Sequence, residues 1–162
     1  VDEADAALLE EQSNRKAMLL FRAGSGAPKA VELDRITRLE HVDAQSIERM
    51  DYRAALQYRG RLMPILDVEG GAGIMADGTQ PLLVFTGEGY AMGLAVEEIV
   101  DVVEDKLEIE LSADRMGVLG TAVVAGRACE ILDVDHYLLR GLAEHARRNK
   151  SEDANEDGKV AA

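Results

Sequence analysis

Gly60-Arg61-Leu62-Met63-Pro64-Ile65-Leu66-Asp67-Val68 returns, 66 residues later, as Gly126-Arg127-Ala128-Cys129-Glu130-Ile131-Leu132-Asp133-Val134. Six of the nine positions are identical. Two further blocks recur in the same order. Met18-Leu19-Leu20-Phe21 matches Leu82-Leu83-Val84-Phe85 at an offset of 64, and Leu33-Asp34-Arg35-Ile36 matches Val96-Glu97-Glu98-Ile99 at an offset of 63. Only two copies are present, and the period exceeds that of solenoid repeats, so the pattern reads as one small domain doubled.

Each copy reads as strands. Ala17–Arg22 and Pro81–Thr86 are apolar runs followed by Gly-containing turns, at residues 23–28 and 87–89. Residues 30–42 and 91–103 are rich in β-branched side chains, and Ile99-Val100-Asp101-Val102-Val103 is too branched to favour a helix. A hairpin about a Gly closes each copy: residues 54–58 with 61–68, and 118–124 with 127–134. That gives about five strands per copy, the count of a small barrel. Gly60 and Gly126 are expected to supply the turns. Pro64 has no amide hydrogen and is expected on an edge or a bulge, whereas its repeat partner is Glu130.

Two segments read as helical. Residues 43–48 suit one turn capped by Asp43. Residues 135–148 suit a longer helix capped by Asp135, with Leu138, Leu139 and Leu142 on one face and Arg147, Arg148 and Lys150 at the negative end. The polar ends, residues 1–14 and 151–162, are expected to be mobile, with at most one helical turn at residues 6–11. The expected layout is an acidic linker over 1–16, a domain over 17–142 and a helix end with a flexible tail over 143–162. Within the domain, a first barrel takes mainly 17–68 and a second mainly 81–134.

The 162 residues are 47% hydrophobic with no Trp, so the core is aliphatic. The net charge of −13 argues against nucleic acid, which needs clustered Lys and Arg, and against an anionic membrane surface. A single cysteine, Cys129, rules out an internal disulfide and suits a reducing compartment. No apolar stretch approaches the roughly 20 residues that cross a bilayer. Charge divides unevenly: Met18–Val68 carries eight basic and seven acidic residues, net +1, while Leu82–Val134 carries three and eleven, net −8. Unlike halves suit contact between different surfaces, with charge steering partners and fixing register.

Candidate chemistry is sparse. His41, His136 and His145 lack metal-ligand spacing with one another or with Cys129, so neither a metal nor a cofactor is expected. Asp67 and Asp133, at matching strand ends, read as capping groups rather than a catalytic pair. Cys129 stands where the first copy has Met63, and is expected to be a small buried group. Ile74 and Met75 interrupt a polar, Gly-rich loop; such apolar tips mark contacts or fold back as plugs.

The residues in this order resemble a known family. Leu39-Glu40, Ile47-Glu48 and Gln57-Tyr58-Arg59-Gly60-Arg61-Leu62-Met63-Pro64, with Met92 through Glu104 and Gly126 through Tyr137, resemble the CheW-like C-terminal regulatory domain of CheA, the bacterial chemotaxis histidine kinase. The resemblance spans about residues 17–142. It implies an all-β fold of two tandem SH3-like five-stranded barrels with a short C-terminal helix, shared with the adaptor CheW. CheW usually carries Asn-Leu-Arg-Gly at the first hairpin; Gln57-Tyr58-Arg59-Gly60 looks more like the kinase version. The acidic leader and the lack of an initiating Met then suit a piece cut after a kinase domain, and nothing in the chain resembles the kinase core. The resemblance implies a cytoplasmic interaction module in membrane-associated receptor arrays. Its implied partners are the CheW adaptor, chemoreceptor cytoplasmic tips and the kinase core of the same chain, without nucleic acid or membrane insertion. Arg59 is the first candidate for partner contact, with Met63, Ile74 and Met75 beside it; Gly60 and Gly126 are structural turns, and no residue is catalytic.

Overall fold

The apolar runs Met18–Phe21 and Leu82–Phe85 are continuous rather than alternating, the mark of strands buried on both faces. The computed structural model, which describes residues 2–51, 53–111 and 115–160, shows why. The runs lie one in each of two closed sheets, on strands whose outer faces pack against each other. The elements are α1 (Glu3–Asn14), β1 (Arg15–Arg22), β2 (Lys29–Glu32), β3 (Arg38–Asp43), β4 (Glu48–Met50), β5 (Arg53–Tyr58), β6 (Arg61–Leu66), β7 (Thr79–Gly87), β8 (Tyr90–Ala95), β9 (Glu98–Lys106), β10 (Glu110–Leu111), β11 (Val118–Val124), β12 (Arg127–Leu132) and α2 (Val134–Val160), with single 3-10 turns at Leu33–Arg35 and Ala44–Ser46.

One sheet runs β3-β7-β8-β6-β5-β4 and the other β10-β11-β12-β2-β1-β9. Both must curl. A flat six-stranded sheet puts its edges about 24 Å apart, at about 4.8 Å per spacing. Yet edge strands β3 and β4 are joined by residues 44–47 alone, and edge strands β9 and β10 by residues 107–109. At roughly 3.5 Å per residue neither link crosses that distance, least of all with a 3-10 turn in it, so each sheet closes into a barrel.

The barrels do not follow the repeat. The first barrel is built from β3 to β8, residues 38–95, and the second from β1, β2 and β9 to β12. The division into 17–68 and 81–134 is therefore corrected: each copy donates its first hairpin to the other's barrel. The exchange is symmetric. β6 meets the donated β8 in parallel at Ile65↔Gly93, and β12 meets the donated β2 in parallel at Ile131↔Ala30. Each barrel also holds a sixth, short edge strand, β4 or β10.

Alternation along β1 and β7 sorts the core. Leu82 and Val84 point into the first barrel with Leu56, Met63 and Ile65. Met18 and Leu20 point into the second with Val124, Cys129 and Ile131. Their neighbours Leu19, Phe21, Leu83 and Phe85 form a seam between the barrels with Met92, Leu132, Val134 and Tyr137. Cys129 is 1% exposed, and burial raises its thiol pKa.

Pro64 lies on a central strand, not an edge, and the register explains how. The β5–β6 hairpin turn makes Tyr58↔Arg61, Leu56↔Met63 and Ala54↔Ile65 the hydrogen-bonded pairs, so the Pro64 nitrogen faces β8. Pairing to β8 begins only at Ile65. In the second barrel Glu130 does have an amide hydrogen. It donates to Pro28 O at 3.0 Å, and pairing starts one residue earlier, at Glu130↔Lys29. The Glu130 carboxylate also meets buried Lys29 at 3.8 Å and Arg115 at 2.8 Å.

The repeated Asp residues both satisfy orphaned amides. Asp67, 3% exposed, accepts from the backbone of Glu69 at 3.3 Å, of Gly71, and of Gly73 at 2.6 Å, and so shapes the Gly-rich loop. Asp133 accepts from His136 N at 3.3 Å and caps α2. Asp135, expected as that cap, instead bonds Arg35 at 2.7 Å.

The buried face of α2 is Val134, Tyr137, Leu138 and Gly141, at helical spacing. Gly141 is required there, since a Cβ would come 2.8 Å from Met92 Cβ. Leu139 and Leu142, expected on the inner face, are 68% and 42% exposed. Both termini carry more helix than expected. α1 covers Glu3–Asn14, longer than the one turn expected at residues 6–11, and α2 continues to Val160, past the helix end expected near residue 148. Ala161 and Ala162 lie outside the described residues.

Candidate functional site

Arg59 and Gly60 are the two central residues of the β5–β6 hairpin, with φ of +51° and +79°. Positive φ at both positions is the two-residue turn whose twist matches antiparallel strands. Gly60 tolerates this freely; an added Cβ would meet nothing within 4 Å, so conformation rather than space selects glycine. Arg59 has no such excuse and accepts a left-handed backbone at a cost of about 1 kcal/mol. The β11–β12 turn repeats the geometry with Ala125 at +51° and Gly126 at +76°. The same turn carries a guanidinium in one barrel and a methyl group in the other.

Around the Arg59 turn lies a cavity of about 330 Å³, open to solvent between the first barrel and α2. Its floor is apolar, from Met63, Val84 and Ala91, and its walls include Tyr58 and Tyr90. Arg38, Arg59 and Arg61 surround it, with His145 from α2 on the far side. Tyr58 OH donates to Glu40 Oε1 at 2.9 Å, and the Arg59 guanidinium carbon lies 5.7 Å from the Tyr58 ring centroid. Glu40, Tyr58 and Arg59 thus form one connected row. Burial first, then the bond to Glu40, raises the Tyr58 phenol pKa above its ordinary value and keeps it a donor. Tyr90 OH donates to Leu138 O at 2.8 Å, and its ring stacks with His145 at 6.1 Å, so α2 is fastened to this wall.

The candidate residues separate. Arg59 is exposed at the mouth. Met63 is 2% exposed and belongs to the barrel interior and cavity floor. Of the two readings of Ile74, partner contact and folded-back plug, its surroundings are those of the plug: it is 7% exposed and packs with Ile47, Leu56 and Ile65. Met75 is half-buried in the same loop; its N–H donates to Gln80 Oε1 at 2.8 Å and its carbonyl accepts from Arg49. Reading from sequence missed Arg38, Tyr90 and His145. Arg38 and Tyr90 lie in the first barrel only because β7 and β8 cross to it, and His145 arrives on a helix 86 positions after Arg59.

The lining offers guanidinium, phenol, imidazole, hydroxyl and apolar groups. Such a lining can seat an apolar side chain on its floor and offer guanidinium hydrogen bonds to carboxylates beside it. Among the described residues, no three His, Cys, Asp or Glu side chains gather to hold a metal ion.

The model of the CheW-like domain matches residues 17–140, most of the chain. The chain belongs to the CheW-like domain family. A solved relative, the scaffolding protein TtCheW from Thermoanaerobacter tengcongensis, superposes with a TM-score of 0.58 at 18% identity, covering 73% of this chain and 84% of TtCheW. At that identity the likeness speaks for the shared CheW-like fold. No curated protein matches the chain. Among the described residues, no helix of this CheW-like chain is long and apolar enough to cross a membrane.

Proposed function

We propose that this CheW-like chain is a docking module of a bacterial chemotaxis signalling assembly, in the cytoplasm at membrane-associated receptor arrays, and that the Arg59 cavity is where it takes hold of a partner. The observation that carries this is the contrast between the two hairpins. One duplicated turn holds a strained Arg59 over an apolar cavity ringed by two more arginines; its twin holds Ala125.

Two assignments within that function are open to a direct test. Gln57-Tyr58-Arg59-Gly60 favours the regulatory domain of CheA, which would dock the kinase core to the CheW adaptor and to receptor tips and couple receptor state to autophosphorylation. The CheW-like fold itself fits a stand-alone adaptor as well. A CheA regulatory domain pairs with CheW, whereas an adaptor pairs with CheA. Sedimentation of this chain with the CheW and the CheA regulatory domain of its own cell is expected to give a complex with one of the two. Inert mixtures in both cases, with and without receptor cytoplasmic fragments, would overturn the docking function.

Arg59→Glu is expected to weaken the partner complex at least tenfold while shifting the melting temperature by no more than about 2 °C, because exposed side chains contribute little to stability. A drop of 5 °C or more would return Arg59 to a structural role, as the clamp on Tyr58.

A further inference from the structure

β11, Val118-Leu119-Gly120-Thr121-Ala122-Val123-Val124, carries no charge. Its outward side chains include Leu119 and Val123, which are 40% and 64% exposed. An uncharged, β-branched strand with an open edge is the arrangement that folded proteins avoid unless something covers it. Here the edge is open. β10 pairs with β11 only at Glu110↔Thr121 and Leu111↔Gly120, and among the described residues no strand continues that pairing past Thr121.

The register fixes which groups are left. The two-residue turn makes Val124↔Arg127 and Ala122↔Cys129 the hydrogen-bonded pairs of the β11–β12 hairpin. The Val123 N–H and C=O therefore face away from β12. The next outward amide, Ala125 N–H, is taken by Asp105 Oδ2 at 2.9 Å, a carboxylate standing where a strand carbonyl would be. Hydrogen bonds from the Ala125 and Lys106 amides hold the Asp105 carboxyl below its ordinary pKa, so it is ionised.

Val123 opens into a groove of about 610 Å³ between β11 and the end of β9. Ile109, Ala122 and Ala128 give it an apolar bed, and Asp105, Glu108 and Glu110 set three negative charges against the one positive charge of Lys106 in its lining. This groove belongs to the copy with net charge −8, away from the Arg59 cavity.

We infer that the β9–β11 groove is a strand-addition site for a short, extended, basic segment of a partner protein, which pairs with the Val123 backbone, seats apolar side chains on the bed and places Lys or Arg against Glu108 and Glu110. Main-chain pairing supplies the grip, and charge selects the sequence. The site is independent of the Arg59 cavity.

The test uses the full chain and a capped heptapeptide of alternating Lys and Val, watched by amide NMR and calorimetry. Shifts are expected at Thr121 to Ala125, with slowed exchange of the Val123 amide. Affinity is expected to fall at least tenfold in the Glu108→Lys, Glu110→Lys double variant, whose two side chains are exposed, and in the wild type on raising salt from 50 to 500 mM. It is also expected to fall at least tenfold for a peptide N-methylated at alternate residues, which cannot complete the ladder. No shift at Thr121–Ala125 at millimolar peptide would overturn the inference. Equal binding of an alternating Glu and Val peptide, or of the N-methylated one, would do the same.

Discussion

Cut between Ala76 and Asp77, the chain is expected to yield two halves that do not fold apart and do fold together. The amino-terminal piece keeps β3 to β6 but loses β7 and β8, which stand between β3 and the rest of the first barrel. The carboxy-terminal piece keeps β9 to β12 but loses β1 and β2, which stand between β9 and β12. Each piece therefore lacks the middle of its own sheet and carries a hairpin with no sheet to join. The strands left exposed are the most apolar in the molecule, since Leu19, Phe21, Leu83 and Phe85 are wholly buried in the native seam.

Either piece alone is expected to lack a cooperative thermal transition, and mixing them in equal amounts is expected to restore the β-sheet circular dichroism and a single melt whose midpoint rises with concentration, as linkage requires of an assembly. The cut falls in the loop joining β6 to β7, after the Ile74 plug, so the loop hydrogen bonds of Asp67 to Glu69, Gly71 and Gly73 remain within one piece. Cooperative, monomeric melting of either half by itself would show that each repeat copy makes its own barrel and that the exchange is wrong.

That exchange is where the sequence stopped being readable. The repeat announces two copies, their hairpins and their matched Asp residues, because those depend on local turn chemistry: glycine at positive φ, and a carboxylate in reach of amides a few residues on. Which copy's hairpin completes which sheet depends on non-local pairings, from Ile65↔Gly93, 28 residues apart, to Ile131↔Ala30, 101 apart, and both arrangements keep the same order of strands along the chain. One clue was present. Runs apolar at every position, Met18–Phe21 and Leu82–Phe85, belong to strands with protein on both faces, which a solitary small barrel does not offer.

The helix errors have a different origin. α1 and the last turns of α2 are too polar to show an apolar period, and the inner face of α2 uses Tyr137 and Gly141, which a search for Leu passes over in favour of Leu139 and Leu142. The candidate site was half legible. Arg59 stood out beside its Gly, but Arg38, Tyr90 and His145 reach it only through the exchange and the docking of α2. Ile74 stays open between contact and plug in the sequence because an apolar residue among glycines looks the same whether it points out or folds back.

Phe85→Ala is expected to remove about 3–5 kcal/mol, the usual cost of deleting a buried phenyl ring. At roughly 2–4 °C per kcal/mol for a chain of this size, the melting temperature should fall by about 10 °C. Set against the roughly 5–15 kcal/mol that hold a domain together, that brings the protein near its limit. The size of the loss is less telling than its reach. Phe85 is on β7, a strand of the first barrel, yet its ring lies in the seam with Phe21 and Leu132 of the second and Tyr137 of α2. The two barrels should therefore lose stability together. The Tyr58 ring signals, followed by NMR, report on the first barrel, and alkylation of the Cys129 thiol, 1% exposed in the native fold, reports on the second. Both should shift to the same lower midpoint in denaturant, with Val102→Ala on the surface of β9 as a control that moves neither by more than about 0.5 kcal/mol. If Cys129 stays protected while the Tyr58 midpoint falls, the barrels are separate folding units and the seam is only a contact. If they fall together, Phe21→Ala should reproduce the effect from the other side, because repeat-related rings on β1 and β7 fill one shared core.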